Sequence, residues 1–337
     1  MSVTPRPDSP VRRSAFTIME LLIVVAILGG LMSLILLGVR SLDNSAMSTT
    51  DLARQRQIAL AEGQYAAAND GRIFHPRTAP VGDNNFEQSG SWFPPNEYEI
   101  LGDPQELARD VTDRLWVKAY NDAGIQRLDG LDGGAYEVEM TKAFKDGAAW
   151  EYLDGNIDTY RSPLDPTRRL RSYAINSYIG VNVCADDWYF GQNPIMPFAG
   201  PFVKYAVATP TMMHIKQPSK TMCTIGEDDP GIGGGPPGHN GHGFMMHPNQ
   251  NGSDFASFQT WIDIPGLWNP GAINISHMDG STEAIKLTET NLYDALDGTG
   301  DGIPDHWVIF DGPDLQALQR RILPGVLEYR SADDLPD

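Results

Sequence analysis

The stretch from Arg12 to Arg40 constrains this chain more than any other. It reads R-R-S-A-F-T-I-M-E-L-L-I-V-V-A-I-L-G-G-L-M-S-L-I-L-L-G-V-R. Two arginines and a small residue, Ala15, lead into Phe16, and Leu21 to Val39 then run without a formal charge. That run is about 19 residues, or ~28 Å as a helix, close to the thickness of a bilayer's hydrocarbon core. The basic flank is expected to stay cytoplasmic, which places the rest of the chain outside an inner membrane that it crosses once. Glu20 is the informative residue. A carboxylate at the head of an apolar segment is costly unless paired, and an ordinary secretory leader has no use for one. A cut between Ala15 and Phe16 would create an α-amine four residues from Glu20, and that ammonium, in the same subunit or a neighbour, could neutralise it.

The run A-F-T-I-M-E-L-L-I-V-V-A-I-L resembles the class III signal of type IV pilins and type II secretion pseudopilins. The resemblance implies that a prepilin peptidase cuts after Ala15 and N-methylates Phe16, and that Glu20 guides filament assembly. The family usually carries Gly before the cut; Ala15 is the next smallest side chain. The same run would also suit an uncleaved anchor. An ordinary signal peptide fits less well, because no convincing A-x-A site follows the apolar residues.

The 337 residues suffice for one anchor and one sizeable globular domain or two small ones. The formal net charge is −19, and removing residues 1–15 would make it more negative still. A surface this acidic argues against nucleic-acid binding, which wants a basic face. Most of these carboxylates suit a solvated exterior. The two cysteines, Cys184 and Cys223, could join as a disulfide in an oxidising compartment, or remain two buried thiols.

After a polar run beginning at Ser41, Asp51 to Asn69 is Ala-rich, with Leu52, Ile58, Ala59, Ala61, Tyr65, Ala66 and Ala68 near helical spacing, and Asn69-Asp70-Gly71 ends it. The simplest reading is one helix from Phe16 to about Asn69, roughly 80 Å long. Its divisions are a leader at 1–15, a membrane or filament-core helix at 16–40, an amphipathic continuation at 41–70 and an extracytoplasmic globular domain at 71–337. Glu106 to Ala123 shows helical spacing through Leu107, Val111, Leu115, Trp116 and Ala119. Tyr136 to Met140 and Ala148 to Leu153 read as short strands, as do segments of Arg171 to Val183 and Lys220 to Glu227. Gly271 to Leu287 reads as strand, Asp279-Gly280 turn, strand, and so as a hairpin.

The blocks Y-R-S-P-L-D-P-T-R-R-L-R-S-Y-A-I-N-S-Y-I-G and I-K-Q-P-S-K-T-M-C-T-I-G-E resemble segments of the pseudopilin-like group whose hallmark is written H-x9-DG. In that group they are core strands. Asp279-Gly280 matches the hallmark; the position of its histidine is held by Asn269.

Several clusters invite a chemical reading. Asp297, Thr299 and Asp301, with the Ile303 carbonyl and Asp305, fall at the early ligand positions of an EF-hand-like calcium loop, although Val308 stands where the closing Glu belongs. Calcium there would be structural, and a plain Asp/Gly turn gives the same pattern. His239, His242 and His247 lie in a Gly-rich loop that suits solvent better than zinc. His277 beside the Asp-Gly turn has the form of a general base without a nucleophile motif. Glu227-Asp228-Asp229 reads as a charged strand end. The tryptophans could stack on sugars or fill the core. No G-x-S-x-G, P-loop, H-E-x-x-H or dinucleotide fingerprint is present.

Together these features predict an α+β fold in which a long N-terminal helix packs on an antiparallel sheet. The resemblance implies a non-enzymatic, pilin-like filament subunit whose partners are prepilin peptidase, sibling subunits and membrane lipid. A surface adhesin or carbohydrate-binding module on the same anchor is the alternative.

Overall fold

The structure is a computed structural model. It describes residues 18–76, 78, 113–118, 133–167, 169–180, 184–185, 206–207, 211–228, 243–244, 246, 260–261, 263–289, 291–297, 308–309 and 312–322. The side chains of residues 34, 36–41, 133, 184–185, 206–207, 260 and 309 are outside that description. The chain divides into two compact units, Met1–Ala46 and Met47–Asp337.

In order, the elements are α1 (Ile18–Ala68), α2 (Gly133–Asp146), β1 (Tyr173–Ile175), β2 (Cys184–Ala185), β3 (Ala206–Val207), β4 (Met222–Gly226), β5 (Thr260–Trp261), β6 (Ala272–His277), β7 (Thr282–Lys286), α3 (Leu292–Leu296), β8 (Val308–Ile309) and α4 (Pro313–Ile322). The main sheet is antiparallel, in the order β1-β4-β6-β7; β2 pairs with β3 and β5 with β8. The α+β expectation therefore holds.

In the first unit, α1 carries Ile18, Leu21, Leu22, Val25, Leu28, Leu31 and Met32, all more than half exposed. The uncharged run read from the sequence includes Leu34 and residues 36–39, whose side chains are not described. Among the described residues no helix is long and apolar enough to cross a membrane, so the membrane reading rests on the sequence.

In the second unit, α1 buries one stripe at helical spacing: Asp51, Gln55, Ile58, Ala59, Glu62, Tyr65 and Ala66. It ends as the sequence indicates. Asp70 and Gly71 take positive φ, and the Gly71 N–H closes on the Ala66 carbonyl at 2.8 Å.

The sheet separates two cores. Tyr173, Ile175 and Cys223 join Ile58, Tyr65, Phe74, Phe144, Tyr160 and Met278 in one. Ala174, Met222, Ile225, Ile273, Ile275 and Ile285 join Leu292, Leu296, Leu315, Leu318 and Ile322 of α3 and α4 in the other. Strand alternation produces this division. A register shift between Met222 and Thr224 interrupts it, so that Cys223 lies in the first core while Thr224 reaches the same helix, α1, through Gln55.

Three expectations are corrected. Of the helix expected over Glu106–Ala123, residues 113–118 are described, and they are not helical past 114. Leu115 bridges to His75, and Leu115, Trp116 and Val117 are all fully buried. Three consecutive buried side chains suit an extended segment between layers, not one face of a helix. Its backbone is satisfied by Lys118 N–H to the Ala143 carbonyl (2.9 Å) and Ala148 N–H to the Leu115 carbonyl (2.8 Å). Second, Tyr136–Met140 belongs to α2 and is not a strand; a five-residue window cannot separate the two periods. Third, Ala148–Leu153 is a turn followed by one 3-10 turn at Glu151–Leu153, not a strand.

Candidate functional site

A dense hydrogen-bond network forms where α1 meets the main sheet. Asp51 is its centre. One carboxylate oxygen accepts from Ser162 Oγ (2.5 Å) and Tyr173 OH (2.7 Å); the other accepts from Asn274 Nδ2 (2.8 Å) and Gln55 Nε2 (3.0 Å). Gln55 continues the network. It donates to the Asn274 carbonyl at 3.0 Å and accepts from Thr224 Oγ1 at 3.1 Å, and Thr224 and Ser276 hydroxyls meet at 2.6 Å. One turn nearer the N-terminus, Ser48 Oγ accepts from both Asn269 Nδ2 and Asn274 Nδ2 at 3.2 Å. Directional bonds fix register in a way that apolar contact alone does not. Residues 47–68 are thus clasped at one angular setting and one height.

The sheet's helix-facing side is built for this. Asn274 and Ser276 alternate along β6 with Ile273 and Ile275, which face the other core. The β6–β7 turn joins in. Asp279 Oδ1 accepts from Ser281 N–H (2.9 Å) and Ser281 Oγ (2.6 Å), and Gly280 has φ +82°. Those bonds hold the Asp279 carboxyl below its usual range. A Cβ at Gly280 would come within 2.8 Å of Leu60 Cδ2 on α1. Asn269, in the place of the hallmark histidine, and Asp279-Gly280 therefore both lie against α1.

The block beginning at Tyr160 forms a second clasp. Asp165 is bonded by Ser172 Oγ (2.7 Å) and by Thr167 N–H and Oγ1 (2.9 and 2.6 Å). Arg169 pairs with Asp165 at 2.9 Å and with Asp228 at 2.6 Å, and its guanidinium sits 5.4 Å from the Trp268 ring centre. Asp228, read from sequence as part of a charged strand end, is thereby tied down. Asn176 donates to the Met222 and Ile322 carbonyls (2.9 and 2.5 Å), joining β1, β4 and α4.

Glu62 is different in kind. It is fully buried; one oxygen accepts from Phe74 N–H at 2.8 Å, and Oε2 has no hydrogen-bond partner. Burial pushes its carboxyl up to about 8, against the Phe74 bond and the charge of Arg114, which act the other way.

The other candidates read from the sequence fall as follows. Ala15 and Phe16 lie outside the described residues. Glu20 is in the first turn of α1 and exposed. Asp297 follows α3; Thr299, Asp301, Ile303 and Asp305, the rest of the calcium loop, lie outside the description, as do His239, His242 and His247. Among the described residues no group of three or more His, Cys, Asp or Glu could hold a metal ion. The Cys184–Cys223 disulfide is not formed. Cys223 is a free thiol buried on β4, pushed well above its usual range first by burial, whereas Cys184 belongs to the separate β2–β3 pair. His277 Nε2 lies 3.2 Å from Glu283, itself held by Arg321 of α4 at 2.6 and 2.8 Å; no nucleophile accompanies the pair in these contacts. Trp116 and Trp261 are core residues.

Compared with family models, curated proteins and solved structures, the chain finds no match in any of the three.

Sequence reasoning missed Asp51, Gln55 and Glu62 because it followed apolar periodicity alone. The same 3.6-residue count, applied to polar residues within the Ala-rich helix, picks out all three.

Two outcomes test the site. Asp51→Ala leaves Ser162, Tyr173, Asn274 and Gln55 each short of an acceptor and is expected to lower stability by about 3 kcal/mol in a urea melt, against about 1 kcal/mol for Tyr173→Phe. For Glu62, the folded chain holds a proton that the unfolded chain releases near pH 4.5 and the fold releases near pH 8. Stability is therefore expected to fall as pH rises through that window. Glu62→Gln keeps the Phe74 acceptor without a charge to bury. It should match the wild type near pH 4 and exceed it by roughly 4 kcal/mol near pH 9.

Proposed function

We propose that this chain is a structural, pilin-like subunit of a type IV pilus or type II secretion pseudopilus, stored in the inner membrane and released from its leader by prepilin peptidase. One observation carries the reading: a single helix, α1, begins with the I-M-E of the processing motif, exposes a run of large apolar side chains, and supplies the polar stripe clasped by an antiparallel sheet. An apolar surface of that extent is not left in water; it needs lipid or sibling helices. The polar clasp supports the same reading, because a helix that must move from lipid into a bundle needs a head held in fixed register upon it. The head's role in this reading is structural: the polar groups between α1 and the sheet bond to each other, and the exposed Thr211–His214 contact at 2.8 Å serves one short turn.

Intact-mass and N-terminal analysis of the membrane-extracted protein tests processing, with N-methyl-Phe16 as the expected first residue. Glu20→Ala is expected to be cleaved normally and to be depleted from sheared filaments by about tenfold or more, as loss of a single buried pairing interaction would give. Retention of residues 1–15 by the cellular protein, or wild-type incorporation of Glu20→Ala, would overturn the proposal.

A further inference from the structure

Helix α4 covers the aliphatic face of the main sheet with Leu315, Leu318 and Ile322. Its N-terminal end is held by an unusual pair. Asp314, the second residue of α4, is buried, and its carboxylate accepts from Thr288 N–H (2.9 and 3.1 Å), Thr288 Oγ1 (2.9 Å) and Glu289 N–H (2.9 Å). Glu289 turns its own carboxyl back over the helix end, where Oε2 accepts from Asp314 N–H at 3.3 Å. Its Oε1 lies 2.0 Å from the point a Cβ would occupy on Gly312, so that glycine leaves the space the second carboxyl fills. The two acids thus cap each other.

We propose that Glu289 and Asp314 form a proton-held latch that keeps α4 docked on the sheet and loosens as the shared proton is lost. Two facing carboxylates repel. One proton between them converts the contact into a hydrogen bond and leaves Asp314 ionised to accept from Thr288 and Glu289. The charges of the neighbourhood fit this division. Burial, and then the bond to Asp314 and its charge, push the Glu289 carboxyl up to about 7. Burial acts against Asp314 as well, but the bonds from Glu289 and Thr288 outweigh it and hold that carboxyl below its usual range. Among the described residues no cation balances the pair. Arg320 and Arg321 sit at the far end of α4, Arg321 being engaged with Glu283 beside His277, and Lys286 at the end of β7 is exposed.

The latch is closed on the acid side of neutrality. Its hold weakens as pH rises from about 4.5 to about 7, above which the docked helix carries both charges; the opened helix would uncover the face of the sheet that bears Ile273, Ile275 and Ile285. This device does not depend on the assembly reading.

Amide hydrogen exchange on the full chain tests it. The quantity is the protection of residues 313–322 relative to that of β6, which cancels pH effects on the whole fold. From about pH 4.5 to about pH 7 the wild-type ratio is expected to fall by up to ~tenfold per pH unit, the limit for one proton, and to level off above that. In Glu289→Gln, which keeps a donor and has no charge, and in Asp314→Asn, which removes the opposing charge, the ratio is expected to stay level. A level ratio in the wild type, or an equal fall in either variant, would overturn the proposal.

Discussion

A single carboxylate, that of Asp51, gathers groups from segments far apart in the chain: Ser162 from the turn before β1, Tyr173 from β1, Asn274 from β6, and Gln55 from its own helix. A buried acid with unfilled acceptor positions would be destabilising; filled, it is satisfied only when helix, turn and both strands stand in one relation. That requirement explains why the sheet face beneath α1 carries Thr224, Asn274 and Ser276 where a sheet of this size would ordinarily present aliphatic side chains.

The two faces of the sheet consequently behave differently. Toward α4 the contact is isoleucine, leucine and methionine, adaptable and without strong preference for position. Toward the N-terminal part of the α1 contact it is a lattice of hydrogen bonds, which gives way to apolar packing only from Ile58 onward. Specificity on one side and bulk burial on the other suit an element that has to be held at a fixed register against one that only has to cover. The aliphatic side gains its direction from the ends of α4, through Asp314 at one and Arg321 and the Asn176–Ile322 bond at the other.

Much of this was legible in the residues. The end of α1 follows from Asn69-Asp70-Gly71, because only a left-handed turn lets the last carbonyls close. The β6–β7 hairpin follows from alternating Ile residues around Asp279-Gly280, and β4 from Thr221, Thr224 and Ile225. What failed did so for physical reasons. Tyr136–Met140 sits in a helix whose period a short window cannot show, and Leu115–Val117 lost its helical spacing to burial on every side. Helix α4 announced itself through Pro313 at the start and Leu315, Leu318 and Ile322 at helical spacing, a signal available but not used. The clasp was hidden for another reason. Ser162 and Asp51 are 111 residues apart, and no local pattern reveals that a serine in a turn answers an aspartate in a helix.

The central claim is that residues 47–68 of α1 are locked to the sheet in the register set by Ser48, Asp51 and Gln55. A double-mutant cycle of Asp51→Ala and Asn274→Ala, whose side chains meet at 2.8 Å, tests it most directly in the folded full-length chain. The pair is predicted to show a coupling energy of about 1 kcal/mol or more in urea melts. Strictly additive losses from the two substitutions would contradict the account.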